Sequence, residues 1–152
     1  MFSPHYHNQA SVRGQTILLV DDDAYFLAWL STYLEGEGYN VLKASHAQQA
    51  TALCRRHEGQ IDLLLTDLLF PSKVLQLQTS KPAWPRVNGI DLMKQVLELC
   101  PEVQVIIMSG HSDQELDALQ LSREGRPFLR KPFRLDTLLW TVTALLDDVP
   151  TG

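Results

Sequence analysis

The sequence predicts an α/β chain, a doubly wound domain in which five parallel strands form one sheet with helices on both faces. Two observations predict it. Short apolar runs recur five times along the 152 residues, each followed by a helical pattern. Such alternation makes a parallel sheet, because each strand–helix–strand crossover lays its helix against one face of the sheet. The length suits a single domain and is sufficient to bury one core.

The elements follow in order. The first strand, residues 17–20, runs straight into Asp21, Asp22 and Asp23. Phe26, Leu30 and Leu34 then recur at helical spacing, and Gly38 stands where that helix would stop. The second strand covers 41–44, and Ala47, Ala50, Leu53 and Cys54 make the next helical face. The third strand, 61–66, ends at Asp67; Ile90, Met93, Val96 and Leu97 mark the third helix. The fourth strand, 103–108, ends at Ser109, and a weakly patterned helix is expected over 113–122. The fifth strand, 128–130, delivers Lys131 and Pro132. The last helix carries one continuous stripe of Leu135, Leu138, Leu139, Val142, Leu145 and Leu146. Residues 1–15 read as a flexible lead-in, 16–148 as the domain and 149–152 as a tail.

Composition excludes several classes. A net charge of −5 argues against a nucleic-acid surface, since DNA affinity rests largely on Lys and Arg neutralising phosphates. Cys54 and Cys100 are too few for a disulfide framework and are expected to be reduced, as in a cytoplasmic protein. No stretch approaches the ~20 apolar residues of a membrane helix, and the N-terminus lacks the apolar core of a signal peptide. His5 and His7 have no third ligand nearby in the sequence to complete a metal site.

Doubly wound sheets bind ligands beyond the carboxyl ends of their strands. Those ends deliver Asp21, Asp22, Asp23, Asp67, Ser109 and Lys131. Carboxylates held within a few Å cannot all ionise unless a cation joins them. An all-oxygen site completed by waters suits Mg²⁺. A carboxylate beside such an ion can attack a phosphoryl group and become an acyl phosphate, with lysine and hydroxyl neutralising the transferred charge. Asp23 is expected to face solvent.

The segments "ILLVDDD", "DLLLTDLLFP", "NGIDLM", "VIIMSG" and "FLRKPF" occur in an order that resembles the receiver domains of two-component response regulators. The resemblance implies a flavodoxin-like sheet of strand order 2-1-3-4-5. It implies that Asp67 accepts a phosphoryl group from a histidine kinase or phosphotransfer protein. Asp22 and Asp67 would bind Mg²⁺ directly, Asp21 through water, and the Leu69 carbonyl would complete the protein ligands. Ser109 and Lys131 would stabilise the phosphoryl group, and the Lys131–Pro132 bond would be cis. Phosphorylation would switch the surface of helix 4, strand 5 and helix 5 for a downstream protein or a homodimer, with no direct contact to nucleic acid or membrane.

Several positions depart from the family pattern. Pro71 and Gly89 are separated by "SKVLQLQTSKPAWPRVN", an insertion at about 72–87 in which Trp84 stands between Pro82 and Pro85. Such a loop either serves the site or a partner, or is plain surface. Phe128 occupies the place of the switch aromatic, with no group to hydrogen-bond. Leu69 and His111 occupy the positions that tune self-dephosphorylation, and their side chains are expected to hinder water and lengthen the phosphoryl lifetime. Trp140 falls opposite the leucine stripe with Asp136 and Thr143, as a candidate partner contact. Arg134 replaces the usual cap before the last helix.

With only "DDVPTG" after the last helix, a stand-alone receiver is expected, although "IIMSGHSD" and "FLRKPF" also look like receivers that end hybrid kinases. Two other readings compete. One is a degenerate receiver serving only as an interaction module. The other is a phosphatase resembling the haloacid dehalogenases, using Asp21, Asp23, Ser109 and Lys131; it would leave Asp67 idle and would need an acidic pair on a strand, where Asp147 and Asp148 lie at a helix end.

Overall fold

The chain alternates strand and helix from β1 (Thr16–Val20) and α1 (Ala24–Gly36) through β2 (Asn40–Ala44), α2 (Ala47–Arg56) and β3 (Leu63–Asp67). It continues through α3 (Gly89–Leu99), β4 (Gln104–Ser109), α4 (Asp113–Ala118), β5 (Phe128–Arg130) and α5 (Leu135–Asp147). These elements come from a computed structural model that describes residues 14–68, 88–118 and 125–147. The strands form one parallel sheet in the order β2-β1-β3-β4-β5, the expected topology.

Both faces of the sheet are covered, which is why its strands read as unbroken apolar runs. Ile17 and Leu19 of β1 join Leu63, Leu65, Ile106 and Met108 on the face covered by α1 and α5. Leu18 and Val20 join Leu64, Val105 and Ile107 on the face covered by α2 and α3, where Leu116 of α4 also packs. The inward stripes are Leu27, Leu30 and Leu34 on α1 and Leu138, Val142 and Leu146 on α5. Cys54 and Cys100 are free thiols, both buried in the core on the α2–α3 face.

Helix ends are held by side chains. Asn88 Oδ1 accepts the Asp91 amide at 2.8 Å to start α3, and His46 Nδ1 accepts the Gln49 amide at 3.2 Å to start α2. Before α4, Ser112 and Glu115 form a reciprocal capping box: the Glu115 amide donates to Ser112 Oγ and the Ser112 amide to Glu115 Oε1. Gly38 ends α1 at φ 99°, and beyond it the Tyr39 amide donates to the Leu34 carbonyl at 3.2 Å.

Two strands run one residue past their apolar stretches, to Asp67 and Ser109. Backbone pairing does not depend on side-chain polarity, and the Leu68 amide still donates to the Met108 carbonyl at 2.8 Å. The expected fourth helix is described over Asp113–Ala118; the rest of its 113–122 span, like the lead-in 1–13 and the tail, lies outside the described residues.

The start of α3 abuts the end of β3. The Gly89 amide donates to the Leu68 carbonyl at 2.5 Å, and a Cβ on Gly89 would overlap the Asp67 carbonyl oxygen and lie 2.9 Å from Leu68 Cα. Those neighbours are backbone atoms, which cannot swing aside. Gly89→Ala is therefore expected to destabilise the fold by about 1–3 kcal/mol, read as a lower urea midpoint. A midpoint equal to wild type would contradict this packing.

Candidate functional site

Each expected polar residue stands at the carboxyl end of its strand. Asp21 follows β1, Asp67 closes β3, Ser109 closes β4 and Lys131 follows β5. Parallel register aligns them: Val20 pairs with Thr66, Asp67 with Met108 and Ser109 with Arg130. Ladder bonds continue past the strands, from the Asp21 amide to the Ala44 carbonyl at 3.1 Å and from the Lys131 amide to the Ser109 carbonyl at 2.8 Å. The backbone thus fixes where each side chain begins.

Asp21, Asp22 and Asp67 each offer a carboxylate oxygen within 4.8 Å of the others. Lys131 reaches into this group, its Nζ 2.5 Å from Asp21 Oδ2 and 3.8 Å from Asp67 Oδ1. Asp21 is 1% exposed and Asp67 9%. Burial raises the Asp67 carboxyl to about 7, and Asp21 and Asp22 add to the rise against the opposing pull of Lys131. Burial raises Asp21 as well, with Lys131 again opposing. One ammonium does not offset three carboxylates. The donor set, oxygens only and in excess of the local positive charge, fits a hard divalent cation.

Asp23 is exposed, as expected, and it also caps α1, its Oδ1 accepting the amides of Tyr25 and Phe26 at 3.0 and 3.1 Å. An Asp23 committed to that cap, with Asp147 exposed at the end of α5, leaves the phosphatase-like arrangement without its further acids among the described residues. Ser109 is buried, and its Oγ accepts the His111 amide at 3.0 Å. His111 and Phe128 are half-buried, and Phe128 packs against the core on the α2–α3 face. The Lys131–Pro132 bond is cis, as the resemblance implied. Trp140 is 73% exposed on α5. Leu69, Trp84 and the 72–87 insertion lie outside the described residues.

Two contacts go beyond what the sequence suggests. Helical spacing assigns Phe26 only to the inward face of α1; in the structure it is half-buried, and its ring centroid lies 4.1 Å from Lys131 Nζ. The missing cap before α5 is supplied from inside the helix, where Asp136 Oδ1 accepts the Thr137 amide at 2.8 Å and Arg134 donates to both Asp136 oxygens. A first-turn aspartate is the available sequence signal for the second contact. Nothing local signals the first.

The crowded carboxyls make stability pH-dependent without metal. Asp67 titrates near 3.8 when unfolded and about 7 when folded, so between those values the native state holds a proton the unfolded state has lost. Metal-free stability should fall as pH rises across that window, by on the order of 2–4 kcal/mol, and level off above it. Urea midpoints in a chelator at pH 5 and pH 8 measure the fall. Asp67→Asn should flatten it, and an equal fall in that variant would assign the effect elsewhere.

The sequence and the fold both have counterparts among known proteins. The sequence model described as the response regulator receiver domain matches residues 17–143. A putative two-component response regulator of Arabidopsis thaliana, ARR21, is 28% identical over 127 residues, 84% of this chain and 18% of that protein. The transcriptional regulatory protein CpxR of Klebsiella pneumoniae is 33% identical over 130 residues, 86% of this chain and 48% of that one. The chain thus spans less than half the length of these curated relatives. A response regulator receiver domain protein from Clostridium thermocellum superposes with a TM-score of 0.67 at 25% identity, covering 88% of this chain and 94% of the other. The receiver domain of the hybrid histidine kinase CckA gives 0.66 at 25% identity, covering 86% and 98%. No helix among the described residues is long and apolar enough to cross a membrane. With a family match that runs from Ile17 of β1 through β5 and into the last helix, the chain belongs to the receiver-domain family of two-component response regulators, a signalling module.

Proposed function

We propose that Asp67 is the phosphoacceptor of this receiver and takes its phosphoryl group from the phosphohistidine of a histidine kinase or phosphotransfer protein. The observation that supports this most is the convergence of three carboxylates and one ammonium on a single strand-end pocket. An Asp67 oxygen attacks phosphorus, the N–P bond breaks, and the imidazole departs as an acyl phosphate forms on Asp67. Asp22 and Asp67, with Asp21 through water and the Leu69 carbonyl, would hold Mg²⁺, which supplies positive charge at the transferred phosphoryl oxygens.

Attack requires Asp67 ionised, and its raised titration point makes a cation in the pocket valuable for that reason as well. Lys131 pairs with one phosphoryl oxygen by shifting from Asp21, and Ser109 turns its hydroxyl toward another. Phe128, on the strand that leads into Lys131, follows Ser109 and relays the change to α4, β5 and α5. Trp140 on α5 offers that surface an apolar contact for a downstream protein or a second copy. Leu69 and His111 restrict water and lengthen the phosphoryl lifetime. The chain catalyses only its own phosphorylation and dephosphorylation, in the cytoplasm, and touches neither nucleic acid nor membrane directly.

Intact mass after incubation with Mg²⁺ and acetyl phosphate tests the reading. Wild type should gain one phosphoryl group and Asp67→Asn none. Lys131→Met should label about 100-fold more slowly, the usual loss on removing a charge-stabilising donor. Label retained in Asp67→Asn and lost in Asp21→Asn would sink the proposal in favour of phosphatase chemistry. Once labelled, His111→Ala should lose its phosphoryl group faster than wild type; an unchanged decay would remove His111 from that role.

A further inference from the structure

We infer that Phe26 is a positioning residue for Lys131, its ring face holding the ammonium beside Asp21 and Asp67 while leaving it free to move between them. The functional arm of this inference rests on the phosphoacceptor reading above; the placement rests on geometry alone.

Among the described residues, three groups lie close to the Lys131 ammonium. Two are carboxylates, Asp21 at 2.5 Å and Asp67 at 3.8 Å, and the third is the Phe26 ring, 4.1 Å from nitrogen to centroid. That distance is well inside the ~6 Å over which an aromatic face attracts a cation. The lysine side chain is 23% exposed, so the ring stands where water would otherwise complete the ammonium's shell.

Phe26 is not part of the buried stripe of its helix, which consists of Leu27, Leu30, Ser31 and Leu34. It is half-buried at the rim of the core and is braced from two sides. Trp29 lies 5.9 Å away at 44° and Phe133 6.1 Å away at 57°, centroid to centroid. Phe133 follows Lys131 by two residues, so the turn that delivers the ammonium also delivers a support for the ring it rests on.

The same residues close a circuit of contacts. Lys131 Nζ donates to Asp21 Oδ2, and the Asp23 amide donates to Asp21 Oδ1 at 2.9 Å. The Phe26 amide donates to Asp23 Oδ1 at 3.1 Å, and the Phe26 ring returns to Lys131. The cap that starts α1 therefore sets the ring's position relative to the acid cluster.

A ring face differs from a hydrogen-bond acceptor in a way that matters for a moving charge. A hydrogen bond weakens steeply once its donor leaves the line of the bond. Attraction to the ring quadrupole is spread over the face. An ammonium sliding from Asp21 toward an oxygen attached to Asp67 gives up the first contact and keeps the ring.

Two measurements test this. The first is the proton shift of the Lys131 ε-methylene in protein labelled with ¹³C at lysine Cε, the signal being assigned by its loss in Lys131→Arg. Shielding by the ring face should place it upfield of the other lysines, Phe26→Leu should return it among them, and Phe26→Tyr should keep it upfield. The second is the labelling rate with acetyl phosphate and Mg²⁺. Phe26→Leu should be about threefold to tenfold slower and Phe26→Tyr close to wild type. In a Lys131→Met background, Phe26→Leu should slow the reaction no further. Phe26→Met provides a second ring-free variant if leucine unfolds the helix.

An unshifted Lys131 signal overturns the placement. A wild-type rate in Phe26→Leu, or a slowing that persists in the Lys131→Met background, overturns the positioning role. If wild type takes no label at all, the phosphoacceptor reading fails by itself, and the ring shift still decides whether Phe26 holds Lys131.

Discussion

Two carboxylates, Asp21 and Asp67, end adjacent strands of one sheet, and their mutual repulsion is the constraint on which the rest of the structure depends. Parallel pairing leaves no choice in the matter: Val20 pairs with Thr66, so Asp21 just past β1 and Asp67 at the end of β3 must meet. A lone buried pair of this kind would open the sheet or stay protonated. Here the ammonium from beyond β5 spans the gap between them, yet burial, with Asp21 and Asp22 adding to it, still holds the Asp67 carboxyl above its ordinary range.

The cost of the cluster is carried by the core beneath it. Ile17, Leu18, Leu19, Leu63, Leu64, Leu65, Ile106 and Ile107 are fully removed from water, and they belong to the three central strands. Apolar burial on that scale can tolerate a strained polar end, because the unfavourable charges sit at the sheet's rim and not among the packed side chains. Stability and function are therefore segregated along the strand direction. The amino-terminal and middle residues of the strands hold the fold, and the last residue of β1, β3, β4 and β5, or the one after it, carries the site.

That segregation explains what could be read in advance. Strands buried on both faces leave uninterrupted apolar runs, so the point where a run stops at Asp21, Asp67, Ser109 or Lys131 is visible in the sequence, and topology then brings the four together. Strand order is less visible, since it depends on which helices cross which face; the family resemblance supplied it. Contacts between distant side chains were not legible at all. Lys131 meets Asp21 across 110 positions, and no local periodicity encodes the aromatic ring that shares the ammonium. The caps at Ser112–Glu115 and Asp136 lie between these cases. Their spacing is written in the sequence, yet their use depends on where the preceding turn ends.

The contact between Gly89 and the end of β3 has a consequence for the segment between them. Leu68 and Gly89 are joined by a backbone hydrogen bond, with no room even for a methyl group, so the chain leaves the sheet and re-enters the helix through a closed neck. Beyond such a neck, chain length is nearly a free variable, because each doubling of a flexible loop adds only about 0.6 kcal/mol of closure entropy. A receiver sealed in this way can gain or lose residues at 72–87 without moving Asp67. The length of chain between Leu68 and Gly89 is thereby uncoupled from the geometry of the pocket at the strand ends.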